Sequence, residues 1–321
     1  MILNMEILIT GITGLFGSQL AEEFSRMGRI HGLKRKDSSI KLLDTELEVV
    51  WHEGNINDLD TLLDALNGID LVVHSAGLVS FSSKDQELLD QINTQGTENL
   101  VNAMLSSGVS KLVHVSSVAA IGRMQGVKTL DENFKWVESP LNTDYAISKY
   151  RAELEVWRGQ QEGLEVLVVN PSIILGKISS QRSSTEILDY VMKENRFYPK
   201  GNLNYIDVRD AAAITRLLVE KEAWGERFIL NKESLPYREF FERTARVFAK
   251  KAPSVSVSTR LVRIVTPLMW VMRKLGIGSQ TLNKQTAMIS QQKTEYLNHK
   301  VQTLLDYRYY TLEESLEWAK S

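Results

Sequence analysis

The chain has 321 residues, with 38 lysines and arginines against 40 aspartates and glutamates for a net charge of −2. That balance gives no electrostatic footprint for nucleic acid. It contains no cysteine, which excludes disulfides, thiolate catalysis and thiolate metal sites, and its five histidines (His31, His52, His74, His114, His299) form no ligand-spaced pair. The length suits one large α/β domain with a smaller companion.

The first apolar run, Met5–Thr10, reads as a strand. It leads into Thr10-Gly11-Ile12-Thr13-Gly14-Leu15-Phe16-Gly17 and then a helical pattern over Ser18–Met27. In a strand–turn–helix context, glycines permit the tight turn and a close backbone approach to a phosphate. The helix N-terminus offers free N–H groups and the positive end of its dipole. The spacing is GxxGxxG, so the triplet alone is weak evidence for a dinucleotide site.

Further strands are expected at Arg29–Lys34, Glu48–His52, Leu71–His74, Lys111–Ser116 and Glu165–Asn170, with helices at Leu59–Leu66, Glu87–Ser106 and Tyr145–Arg158. Such alternation requires a mostly parallel sheet with right-handed crossovers. After Pro171 the pattern changes. A loop with Ser179, Ser180, Ser183 and Ser184 precedes a helix from Thr185, residues 206–231 return to the main sheet, and 232–321 complete the smaller unit. The expected division is 1–171 plus about 206–231 for dinucleotide binding, and about 172–205 plus 232–321 for substrate. The most apolar stretch, Ile264–Met272, is too short to span a membrane and contains Pro267. It reads as a buried or lid helix. With a strand at its start and no basic leader, the chain is expected to be cytoplasmic.

Two further features carry chemistry. Lys111-Leu112-Val113-His114-Val115-Ser116-Ser117 is an apolar strand ending in two serines, and a hydroxyl there faces the crevice where open α/β sheets bind ligands. His114 reads as a packed core residue. In Tyr145-Ala146-Ile147-Ser148-Lys149, a tyrosine and a lysine at i and i+4 share one helix face. A nearby ammonium favours the phenolate and draws the phenol toward neutral pH.

Glycine turn, strand-end serine and YxxxK, in this order, resemble the extended short-chain dehydrogenase/reductase superfamily. So do Gly54-Asn55-Ile56-Asn57-Asp58, Val72-Val73-His74-Ser75-Ala76-Gly77, Asn93-Thr94-Gln95-Gly96-Thr97-Glu98-Asn99, Asn170-Pro171-Ser172 and Tyr205-Ile206-Asp207-Val208-Arg209-Asp210. The resemblance covers essentially the whole chain. It implies a Rossmann doubly wound parallel sheet with a smaller, mostly C-terminal α+β substrate domain. It also implies a catalytic Ser117, Tyr145 and Lys149, with Ser116 as the competing serine, and a supporting or structural Asn93. The cofactor would be held by Gly11, Thr13, Gly14, Leu15, Phe16, Gly17, Asn55, Ile56, Ala76, Gly77, Tyr145, Lys149, Pro171 and Ser172. Relatives often pair the two long helices that here carry Asn93 and Tyr145, which implies a homodimer.

Strand two ends in Gly32-Leu33-Lys34-Arg35-Lys36, and Arg35 stands where NAD-binding members of the fold carry an acid. NADP(H) is therefore expected, with NAD(H) as the alternative. Ser117-Val118-Ala119-Ala120 lacks the acidic pair of dehydratases, and Ala120-Ile121-Gly122 replaces the VYG of many sugar-nucleotide enzymes. Val169-Asn170-Pro171-Ser172 looks like the dihydroflavonol reductase and 3β-hydroxysteroid dehydrogenase-like group. The expected reaction is hydride transfer between NADPH and a carbonyl on a small, bulky or apolar molecule, with Phe81, Trp136, Phe197 and Tyr198 as candidate pocket residues. The alternatives are an NAD-dependent nucleotide-sugar epimerase and a non-catalytic nucleotide sensor.

Overall fold

The computed structural model describes residues 5–177, 186–257 and 284–320. The serine-bearing loop, Thr185 and the Ile264–Met272 segment lie outside the described residues. The chain begins β1 (Met5–Thr10), α1 (Leu15–Phe24), β2 (Gly28–Lys34), β3 (Val49–Glu53), α2 (Leu59–Ala65), β4 (Leu71–His74), α3 (Gln86–Leu89) and α4 (Gly96–Ser107). It continues with β5 (Lys111–Val115), β6 (Thr129–Leu130), α5 (Asp144–Gln161), β7 (Glu165–Pro171) and β8 (Ile173–Leu175). Then come α6 (Glu186–Met192), β9 (Phe197–Pro199), β10 (Asn202–Asp207), α7 (Val208–Glu220), β11 (Glu226–Leu230), β12 (Glu233–Pro236) and α8 (Tyr237–Val247).

Seven strands form one sheet in the order β11-β7-β5-β4-β1-β2-β3, and every pairing in it is parallel. The strand order reverses between β1 and β4, which is the topological switch point where doubly wound sheets bind ligands. Alternation along the strands feeds two cores. Ile7 and Ile9 pack with α1 and α7 on one face, while Leu8 packs with α2, α4 and Val156 of α5 on the other.

A third apolar cluster lies outside this sheet. It joins Leu175, Leu188, Leu203, Tyr205, Phe240, Phe241, Leu312 and Leu316, around a small sheet ordered β12-β10-β8. Tyr237, at the start of α8, packs its ring on Phe241. No described helix is long and apolar enough to cross a membrane.

Two helices differ from expectation. The first starts at Leu15 rather than Ser18 and ends at Phe24. Gly17 therefore lies inside its first turn, where a Cβ would sit 2.1 Å from the Gly11 carbonyl oxygen. The single helix expected over Glu87–Ser106 is instead α3 and α4 joined by a π-helical turn at Asp90–Gln95. Such turns recur at functional sites because they re-aim a side chain. Here that side chain is Asn93.

Candidate active site

The glycine loop, Arg35, Asn55, Ala76–Gly77, Ser117 and Ser172 all follow the C-terminal ends of strands in the main sheet. Gly11 has φ +69°, and a Cβ on it would come within 2.5 Å of the Ala76 nitrogen, so the loop lies directly on the turn after β4. Thr10 Oγ1 accepts from the Ala76 N–H at 3.3 Å and bonds to His74 Nδ1 at 2.6 Å. Thr13 lies in the same loop, and Gly14 caps α1 without any side-chain acceptor. No acid occupies the first turn, so the N–H groups of Leu15, Phe16 and Gly17 keep an anion-binding end.

Arg35 is exposed just beyond β2. Asn55 follows β3, where the Gly54 N–H donates to the Lys34 carbonyl at 3.0 Å. Ile56 is buried against Gly96 of α4, where a Cβ would lie 2.5 Å from Ile56 Cδ1. At the other side Pro171 ends β7, and the buried Ser172 Oγ has no hydrogen-bond partner among the described residues. A strand-end edge with free N–H groups and an orphaned hydroxyl fits an extended dinucleotide.

Thr143 caps α5 by accepting from the Ala146 N–H at 3.1 Å, which sets Tyr145 and Lys149 in the first turns of the helix. Lys149 is 4% exposed, and its Nζ donates to the Val115 carbonyl at 2.8 Å. Burial pulls the ammonium down to about 8, against the opposing charge of Glu153. Tyr145 is half-buried and its phenol is pushed up by desolvation, against a hydrogen bond with Ser117 and the charge of Arg123. The forces drawing this phenol down come from Ser117 and Arg123 rather than from Lys149, whose ammonium is engaged with the strand.

The two serines diverge. Ser117 is among the groups that hold the Tyr145 phenol down, and its Oγ accepts from the Ala119 N–H at 3.1 Å. Ser116 Oγ is buried without a hydrogen-bond partner among the described residues. Asn93 is 1% exposed, donates to the Leu78 carbonyl and to Ser148 Oγ, both at 2.9 Å, and accepts from the Leu78 N–H at 2.7 Å. It fixes the loop that brings Phe81 edge-on to Tyr145, with ring centroids 5.9 Å apart. Trp136 stacks on Tyr150 at 4.2 Å, whereas Phe197 is 51% exposed and Tyr198 packs in the third cluster.

Three features escaped the sequence reading. Glu153 is fully buried, accepts from Asn170 Nδ2 at 2.5 Å and pairs with Arg227. Asn170 Nδ2 also donates to the Ser117 carbonyl at 2.9 Å, so the network fixes the strand end that carries Ser117. His114 is packed in the core as expected, but its pairing was not foreseen: His74 is also fully buried, with ring centroids 5.3 Å apart, and burial and the Lys149 charge keep both below the usual range, with His74 at about 3. Arg123 is the third.

This arrangement defines an NAD(P)-dependent oxidoreductase or epimerase of the extended short-chain type. The chain belongs to the NAD dependent epimerase/dehydratase family, whose model matches residues 7–230. It is similar to a sterol demethylase protein B of Methylococcus capsulatus, 29% identical over 81% of this chain and 79% of that protein. It is also similar to a cinnamoyl-CoA reductase 1 of Petunia hybrida, 24% identical over 81% of each chain. The crystal structure of gox2253 matches with a TM-score of 0.82 and 30% identity, covering 98% of this chain and 97% of that one.

Proposed function

We propose that this protein is an NADP(H)-dependent oxidoreductase that interconverts a carbonyl and an alcohol on a small, bulky or apolar molecule. The observation that carries this reading is Tyr145 in the first turn of α5, one helical turn from the buried Lys149, whose Nζ donates to the Val115 carbonyl at the end of the strand that Ser117 follows. The relatives named for cinnamoyl-CoA reduction and sterol demethylation support a bulky organic substrate.

The glycine loop from Gly11 to Gly17 holds the pyrophosphate, Asn55 and Ile56 flank the adenine, and Ala76, Gly77, Pro171 and Ser172 line the nicotinamide half. A nicotinamide cofactor, when bound, supplies or accepts the hydride. Ser117 holds the substrate oxygen by a hydrogen bond. Tyr145 gives its phenolic proton to that oxygen in reduction and takes it back in oxidation. Lys149 would hold the ribose of the bound cofactor, while Ser117 and Arg123 are the groups that favour the phenolate. The third apolar cluster and the residues around it form the substrate-binding part. The exposed Leu88 and Leu154, on α3 and α5, support pairing of two copies through these helices.

NADPH oxidation with a panel of ketones and aldehydes tests the reaction. Turnover of bulky carbonyls is expected, and turnover of nucleotide sugars without net nucleotide consumption would favour the epimerase reading instead. Arg35 is free to meet a 2′-phosphate, a charge-assisted contact worth about ten- to hundredfold in affinity. Arg35→Asp is therefore expected to move the NADPH/NADH affinity ratio toward NADH by that factor. An unchanged ratio would remove Arg35 from the cofactor site.

A further inference from the structure

Resting on the reading of the strand-end edge as a nucleotide site, we propose that His74 and Thr97 are positioning residues that couple the glycine loop to the loop beside Tyr145, so that a nucleotide bound at Gly11 orders the substrate side of the cleft. Thr10 ends β1 and His74 ends β4, and the two face each other in the parallel register. Thr10 Oγ1 accepts from the Ala76 N–H at 3.3 Å and lies 2.6 Å from His74 Nδ1. On the other side of the ring, His74 Nε2 lies 3.0 Å from Thr97 Oγ1, whose hydroxyl donates to the Asn93 carbonyl at 2.6 Å. Thr10, His74, Thr97 and Asn93 are all buried. The direction of each bond is fixed. Thr97 uses its one proton on Asn93, so its oxygen accepts and His74 Nε2 carries the hydrogen. Burial keeps the ring neutral, so Nδ1 is bare and the Thr10 hydroxyl donates to it.

The run of bonds continues through Asn93 in the π-helical turn. Asn93 Nδ2 donates to the buried Ser148 Oγ at 2.9 Å, and Ser148 donates to the Tyr145 carbonyl at 2.9 Å. Asn93 Oδ1 accepts from the Leu78 N–H at 2.7 Å and so holds the loop that carries Phe81. One end of the run therefore rests on the contact between Gly11 and Ala76, and the other on the first turn of α5 and the Phe81 loop. Burial in this layer does not by itself bring such partners. His114, equally buried and 5.3 Å away ring to ring, has no hydrogen-bond partner at either nitrogen among the described residues. A buried donor or acceptor that loses its partner is costly. A shift of the Ala76 turn on Thr10 is therefore passed along the run instead of being absorbed at one bond.

The test follows amide hydrogen exchange at Ala76 and Leu78 by NMR, in the wild type, Thr97→Val, His74→Phe and His74→Gln, free and saturated with NADPH. Rates are taken relative to the buried core amide of Val113, which removes any change in global stability. In the wild type NADPH is expected to slow exchange at Leu78 by about tenfold. Thr97→Val keeps the shape of the side chain and removes the hydroxyl. It should reduce that slowing to within about twofold while NADPH still protects Ala76. His74→Phe should act likewise, and His74→Gln, which keeps an N–H for Thr97, should recover part of the effect. A Leu78 rate that rises equally with and without NADPH in Thr97→Val would overturn the proposal, because a residue that only packs acts alike in both states. The free protein gives a second readout. There Thr97→Val is expected to speed exchange at Ala76, at the far end of the run, by about fivefold. An unchanged Ala76 rate would overturn the coupling. Faster Ala76 exchange in a protein whose amides respond to neither NADPH nor NADH supports the run of bonds and counts against the nucleotide reading alone.

Discussion

Tyr145→Phe is expected to lower turnover by about 10²–10⁴-fold while leaving nucleotide affinity unchanged, because it removes one oxygen at the end of a ring that stays packed. The phenyl ring keeps its edge contact with Phe81, and the capped first turn of α5 does not depend on the hydroxyl. The direction of the pH dependence follows from the same site. Burial raises the phenol above its ordinary value, so it is protonated through neutral pH and serves as the acid for reduction. Alcohol oxidation needs the phenolate, so its rate is expected to climb with pH while the reduction rate stays level or falls. Initial rates in both directions across pH 6 to about 10 check this. Undiminished turnover in the phenylalanine variant would remove Tyr145 from the proton path.

Glu153→Ala is expected to destabilise the fold by about 3–5 kcal/mol, because it strips the partner from a buried ion pair. Glu153 is fully buried and holds Arg227, Asn170 and the field around Lys149 together. Its removal leaves the Arg227 guanidinium and the Lys149 ammonium without their common counter-charge in a dry part of the sheet. For a chain of this size the melting temperature should fall by on the order of 10 °C, measured without nucleotide. A fall of less than about 2 °C would mean that water or another group replaces the carboxylate at little cost. Asn170 also grips the Ser117 carbonyl, so the surviving folded fraction is expected to turn over more slowly.

The fold was legible because its signals are local. Strand runs such as Met5–Thr10 and Leu71–His74 carry apolar residues to both faces, and their limits match the observed strands. The glycine loop and the YxxxK pair are each weak alone and become legible through their order along the chain with the strand-end serines between them. Helix α1 was misjudged at its start because Gly17 is a poor helix former. Its place is dictated by the 2.1 Å that a Cβ would leave to Gly11, a contact across the turn that no periodicity reveals. The π-helical turn at Asp90–Gln95 was hidden for the opposite reason, since one added residue barely disturbs a helical pattern.

The missed site residues depend on long-range placement. Glu153 meets Arg227 only because β11 lies beside β7. For Glu153 the signal was an acid four residues beyond Lys149 on the same helix face.

The strand-end edge from Gly11 to Ser172 is expected to bind a nicotinamide dinucleotide and to prefer the 2′-phosphorylated form. The most direct measurement titrates nucleotide-stripped protein with NADPH and with NADH, following the quenching of tryptophan fluorescence. Saturable binding of both, with NADPH tighter by about tenfold or more, is the predicted result. Binding of neither nucleotide would remove this edge as a dinucleotide site.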